Sequence, residues 1–164
     1  MKNLLFIFGV VVAFAQPAAT TSKDLLESTL TLDRITSQSL VGKLPFVNIG
    51  PSVMSGRVVD LAVNPDAPHE FYVGYASGGL WYSNNNGTTF TPVMDNSPTQ
   101  NIGDIAVHWP THTIYVGTGE NNSSRSSYAG IGILKSTDNG ASWQHMGLAD
   151  SHHIGKIEIN PNNP

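Results

Sequence analysis

The residues best suited to chemistry gather in one polar stretch, Gly119-Glu120-Asn121-Asn122-Ser123-Ser124-Arg125-Ser126-Ser127-Tyr128-Ala129-Gly130. It carries one acid, one arginine, one tyrosine and a run of amides and hydroxyls. Donors and acceptors of these kinds suit hydroxyl-rich or carboxylate ligands, so glycans and peptides both qualify. The alternative is that Glu120 and Arg125 pair merely to order a long loop, since loops have internal hydrogen bonds to satisfy. Further candidates stand in Ser55-Gly56-Arg57, in Asn96 to Asn101, and in Asp150-Ser151-His152-His153. The adjacent histidines raise the question of a metal. Neighbours in a strand point to opposite faces, and no spaced ligand set accompanies them. Neither a metal nor a cofactor is expected.

The elements that would hold these loops repeat. Ser83-Asn84-Asn85-Asn86-Gly87-Thr88-Thr89-Phe90 matches Ser136-Thr137-Asp138-Asn139-Gly140-Ala141-Ser142-Trp143, 53 residues further on. Val58 to Val63 matches Ile102 to Val107 and again Ile154 to Ile159, each followed by a proline turn. Phe71-Tyr72-Val73-Gly74 pairs with Ile114-Tyr115-Val116-Gly117, and Leu80 to Ser83 with Ile133 to Ser136. Each full unit thus holds four short apolar or alternating segments separated by turn residues, rich in β-branched and aromatic side chains. Four antiparallel strands per unit, here A to D, make one blade of a β-propeller, so the expected class is all-β. The expected bounds are 57–94 for a first blade, 101–147 for a second and 153–164 for the start of a third. A D-like strand over 46–50 would close the ring. In this scheme the A–B and C–D turns share one face. The B–C and D–A loops share the other, where Arg57, Asn101 and His153 are equivalent positions at the mouth of a central channel. The expected ligand-binding set is therefore Arg57, Asn101, Glu120, Asn121, Asn122, Arg125, Tyr128 and His153.

Composition agrees with many strands and tight turns: charged residues are only 12% of 164, and the net charge is −4. No basic face for nucleic acid is implied. Lys2 ahead of the apolar run Leu4 to Phe14, with Ala13-Phe14-Ala15 as a cleavage site, has the layout of a signal peptide over residues 1–15. The run is too short to span a bilayer comfortably, so the expectation is a secreted or cell-surface protein without a membrane span after cleavage. Cysteine is absent, which a large core tolerates. Residues 16–45 read as a segment or linker, with Leu25, Leu26, Leu30 and Leu32 forming a short amphipathic helix or nothing ordered. Two blades and one further strand cannot close a ring, which implies a fragment of a longer product.

The duplicated turn resembles the Asp box, or BNR repeat, of the C–D hairpin. The resemblance implies structural roles for Ser83, Asn85, Gly87, Thr89 and Phe90, and for Ser136, Asp138, Gly140, Ser142 and Trp143. The glycines permit positive φ, Asn85 and Asp138 accept local N–H bonds, and the aromatic rings pack on a neighbouring hairpin. Asn48-Ile49-Gly50-Pro51, Met54-Ser55-Gly56-Arg57, Ala76-Ser77-Gly78-Gly79-Leu80-Trp81, Gly117-Thr118-Gly119-Glu120-Asn121-Asn122 and His153-Ile154-Gly155-Lys156-Ile157 together resemble the start of secreted bacterial BNR-repeat proteins. That family carries sortilin-like and xyloglucanase-like glycosyl hydrolase labels. The resemblance implies a propeller that binds glycan or peptide through its B–C and D–A loops, a glycoside hydrolase whose catalytic carboxylates lie largely outside this stretch of sequence, or a structural or adhesive surface protein. Glycoside hydrolysis uses two carboxylates, for which Glu120 and then Asp150 are the candidates here. Where xyloglucan-cleaving relatives carry an Asp before the Gly-Gly of the first B–C loop, this chain has Ala76.

Overall fold

A computed structural model of the chain describes residues 20–42, 44, 56–123, 127–160 and 163–164. The expected signal peptide at 1–15, the closing strand at 46–50 and Arg125 lie outside the described residues.

Turn chemistry cuts the apolar sequence into eight strands. β1 (Val58–Val63), β2 (Phe71–Tyr75), β3 (Gly79–Ser83) and β4 (Thr91–Pro92) form one antiparallel sheet in chain order. A second antiparallel sheet holds β5 (Ile102–His108), β6 (Thr113–Thr118), β7 (Ile133–Ser136) and β8 (Gln144–His145), again in chain order. The all-β class is therefore correct, with one helix added. The registers coincide as well. Leu61–Val73–Trp81–Pro92 make one cross-strand row, and Ile105–Val116–Leu134–His145 make its counterpart. Each first strand carries a register shift at the same place, between Val58 and Asp60 and between Ile102 and Asp104.

The fourth strands, which follow the duplicated turns, are only two residues each. Pro92 has no N–H to extend the first, and Gly147, at φ 113°, turns the chain out of the second. Residues 20–38 resolve the open choice in favour of a helix, α1 (Ser22–Gln38). Thr21 caps it by accepting the Asp24 N–H at 3.1 Å. Ser22 donates to the Ala149 carbonyl at 2.6 Å, while Leu25 and Leu26 lie against the core.

The core forms between the two sheets, where β5 lies against β1 and β2. Tyr72, Leu80, Met94, Ile102, Ile105, Ile114, Val116, Ile131 and Leu134 are buried there together. Gly74 lies opposite Ile105 and Ile102, where even a Cβ would be in ordinary contact, 3.4 Å and 3.5 Å from their side chains. Residues 154–159 take the same place on the second sheet. There Gly117 has no room for a Cβ beside Ile154 and Ile157.

The two duplicated turns have the same bonding. Ser83 Oγ accepts from the Gly87 N–H at 2.9 Å, and Asn85 Oδ1 accepts from the Thr89 N–H at 2.9 Å. In the second copy Ser136 Oγ accepts from Gly140 at 2.8 Å and Asp138 Oδ1 accepts from the Ser142 N–H at 2.9 Å. Thr89 Oγ1 accepts from the Asn85 amide at 2.7 Å, and the Ser142 hydroxyl donates to Asp138 Oδ2 at 2.6 Å. Positive φ extends one residue earlier than expected, to Asn86 at 59° and Asn139 at 57°, each followed by its glycine at 78° or 87°. Asparagine tolerates that conformation. Phe90 meets Phe71 edge-on within its own sheet, at 6.0 Å between ring centres. Trp143 instead reaches the first sheet, where its indole N–H donates to the Val93 carbonyl at 3.1 Å.

Two predictions follow from these turns. A Cβ on Gly140 would overlap the Val93 carbonyl, whereas one on Gly87 meets only ring carbons at 3.5 Å or more. Gly87→Ala should cost the αL penalty of about 1–2 kcal/mol, and Gly140→Ala clearly more, as read from urea melts. Hydrogen bonds from the Ser142 hydroxyl, the Ser142 N–H and Ser136 hold the Asp138 carboxyl down at about 2, against an ordinary 3.8. A depressed carboxyl contributes stability above its unfolded pKa and loses it as pH falls through the folded one. Asp138 should therefore titrate near pH 2 by carboxyl NMR, and Ser142→Ala should move it up towards 3.8.

Candidate functional site

The long polar loop departs from the end of β6, and three buried groups hold it there. Thr118 is fully buried; its hydroxyl donates to the Gly132 carbonyl and accepts from the Ile131 N–H, both at 2.7 Å. These bonds pin the returning chain against the departing one. The Glu120 N–H donates to the Tyr128 carbonyl at 2.9 Å, and the Gly130 N–H to the His152 carbonyl at 2.7 Å. The loop is thus closed on itself and tied to the stretch that follows β8.

Glu120 is 1% exposed, an unusual position for a carboxylate. Its Oε1 forms an ion pair with Arg57, whose side chain is half-exposed. Its Oε2 is buried and has no hydrogen-bond partner among the described residues. The pairing differs from the Glu120–Arg125 alternative drawn from the sequence. Arg57 enters from the start of β1 in the first sheet, so the pair joins the two sheets rather than merely ordering one loop.

The other expected residues divide into two groups. Asn101 and Asn121 are used internally: Asn101 Nδ2 donates to the Ala129 carbonyl at 3.2 Å and Asn121 Nδ2 to the Gly155 carbonyl at 3.3 Å. Asn122, Tyr128 and His153 are exposed, Tyr128 by 50%. The His152 and His153 rings stand 6.5 Å apart. Among the described residues no group of three or more His, Cys, Asp or Glu side chains could hold a metal ion. Asp150 lines a cleft of about 460 Å³ at the start of α1, together with Thr21, Leu25, His152 and the loop residues Ala129 and Gly130. Ala76 is fully buried in the turn after β2.

Sequence reasoning assigned no role to Asp60 and Asp104, although both occupy the third position of the repeated segment. Asp60 Oδ2 accepts the Ile105 N–H at 3.1 Å, and Asp104 Oδ2 accepts the Ile157 N–H at 2.6 Å. Each carboxylate reaches the fourth position of the next segment. Burial pushes the Asp104 carboxyl up, and Asp60 beside it adds to this; the Ile157 N–H and Lys156, whose Nζ is 3.5 Å away, pull the other way. Two acids at one register position were the available signal.

The chain matches no family model, and no curated protein matches it. Among the described residues no helix is long and apolar enough to cross a membrane.

Removing one partner of a buried ion pair leaves a charge without compensation. Arg57→Ala should cost about 3 kcal/mol. Glu120→Gln in that background should recover a good part of the loss, because a buried amide is easier to leave unpaired than a carboxylate. Chemical denaturation of the three variants checks the asymmetry.

Proposed function

We propose that the chain is part of an exported Asp-box β-propeller of the BNR-repeat kind, in which each sheet is one blade. Its B–C and D–A loop face would bind a glycan. The architecture is supported by the identical cross-strand rows and by the repeated bonds from Asp60 to Ile105 and from Asp104 to Ile157. Export rests on the signal-peptide layout of the first 15 residues.

The observation that carries the ligand reading is an exposed loop rim over a fixed base: Glu120, 1% exposed and paired with Arg57, anchors that base. Beside it stand an exposed tyrosine ring and exposed amides, the groups that receive the apolar face and the hydroxyls of a sugar. Loops on a rigid sheet scaffold are the usual place for such recognition. A glycoside hydrolase needs two carboxylates about 5–9.5 Å apart; Glu120, the first candidate here, is buried in its ion pair with Arg57, which favours the binding reading for this loop.

A glycan array probed with the chain, followed by calorimetry on the best hit, tests this. Tyr128→Ala and Asn122→Ala should each weaken binding about tenfold, worth about 1.4 kcal/mol, with unchanged melting temperature. Equal affinity in both variants, or reducing sugar released from the bound glycan, would overturn the reading.

A further inference from the structure

The chain has two Asn-Gly pairs, and both stand in the duplicated turns, as Asn86-Gly87 and Asn139-Gly140. Such a pair is chemically labile, because glycine has no side chain to keep its nitrogen away from the amide carbon of the asparagine before it. Both asparagines are exposed. Each sits in the left-handed region, at φ 59° and 57°, with its glycine at 78° or 87°. The nitrogen that would attack is held in both copies. The Gly87 N–H donates to Ser83 Oγ at 2.9 Å, and the Gly140 N–H to Ser136 Oγ at 2.8 Å. Both serines are 2% exposed, so the accepting hydroxyls are themselves shielded from water.

We infer that Asn86 and Asn139 are latent deamidation sites, and that the buried serine of each turn keeps them latent by holding the following glycine N–H. The reaction needs only water. The glycine nitrogen bonds to the asparagine Cγ and its proton passes to the side-chain nitrogen. The bond from Cγ to that nitrogen breaks, and ammonia leaves. Water then opens the cyclic imide at either carbonyl, giving aspartate or isoaspartate. Ring closure requires the peptide unit after the asparagine to rotate and its N–H to be given up. The bond to the serine opposes both. The Asn86 N–H also donates, to the His69 carbonyl at 2.9 Å, but that bond does not touch the attacking atom. Isoaspartate adds a methylene to the main chain, so an opened turn cannot close on its serine again.

The two copies are unequal. Gly140 is buried against the Val93 carbonyl. The ionised Asp138 just before Asn139, its carboxyl held down at about 2, opposes loss of a proton at the Gly140 nitrogen. Gly87 is only partly buried, beside the rings of Phe71 and Phe90, and the neutral Asn85 takes the place of the acid. Asn86 is therefore the faster site. The inference goes beyond the proposed binding function: it rests on bonds within the turns and needs neither a ring of sheets nor a ligand.

The test incubates the whole chain in mildly alkaline buffer, folded and unfolded in urea, and maps its peptides by mass spectrometry. Unfolded, both asparagines should lose ammonia freely. Folded, both should be slower, Asn139 the more so. Ser83→Ala should speed Asn86 about tenfold, the effect of losing one buried hydrogen bond, and leave Asn139 unchanged. Thr89→Ala removes the bond between the Asn85 and Thr89 side chains but keeps the serine, so the rate at Asn86 should not change. Equal rates in the folded and unfolded chain, or no acceleration in Ser83→Ala, would sink the proposal. Equal acceleration in Thr89→Ala would overturn the serine's part in it, and a faster Asn139 the order of the two sites. Should Ser83→Ala lose its sheet signal in far-UV circular dichroism, Ser136→Ala read at Asn139 serves in its place.

Discussion

An aspartate that reaches forward to a backbone N–H of the next segment, partly buried in the first copy and buried in the second, governs this structure. Asp60 does so to Ile105, and Asp104 to Ile157. Apolar packing alone would let one sheet slide over another, because it has little directional preference. A hydrogen bond from a charged acceptor to one particular amide removes that freedom. Opposite the second of these bonds, Gly117 lets Ile154 and Ile157 come closer than a Cβ would permit. The bonds define the register of successive segments, and the glycine the spacing at the second. The strands of each sheet can then be short, because the sheet is held from its face and not only along its ladder.

The duplicated turns serve the same stack from its outer side. Their serine, asparagine or aspartate, and glycine satisfy the hairpin internally. The second turn also seats its indole on the Val93 carbonyl of the first sheet. Acid-poor turns of this kind gain their order from local hydrogen bonds rather than from ion pairs. The low charged fraction of the chain, 12%, has its physical explanation there.

Glu120 shows how a loop with functional character is also a structural joint. Its ion pair with Arg57 spans two sheets, and Thr118 holds the loop base through two buried bonds. Asn122 and Tyr128 in the loop, and His153 after β8, face solvent. The rigid part of the loop and the part available to a ligand are therefore different residues. Substitutions at Arg57 or Glu120 act on the scaffold first, whereas those at Tyr128 leave the scaffold intact.

The strand pattern, the four-segment units and the local chemistry of the two turns were legible in the residues, because they depend on neighbours within a few positions. Alternation, glycine at the hairpin and a serine two residues ahead of an acid or amide are local facts. Asp60 and Asp104 were visible as a repeated acid, but their role was not, since the accepted N–H lies 45 and 53 residues further on. The same holds for Glu120, whose partner is 63 residues away in the other sheet rather than five residues along its own loop. The α1 helix was open in the sequence because its stripe of leucines is weak; docking of Leu25 and Leu26 on the core and of Ser22 on Ala149 gives it a place. Sequence alone determined which segments become strands and turns. Tertiary structure decided which carboxylate meets which distant donor, because that choice depends on how two sheets stack and not on the order of residues within either.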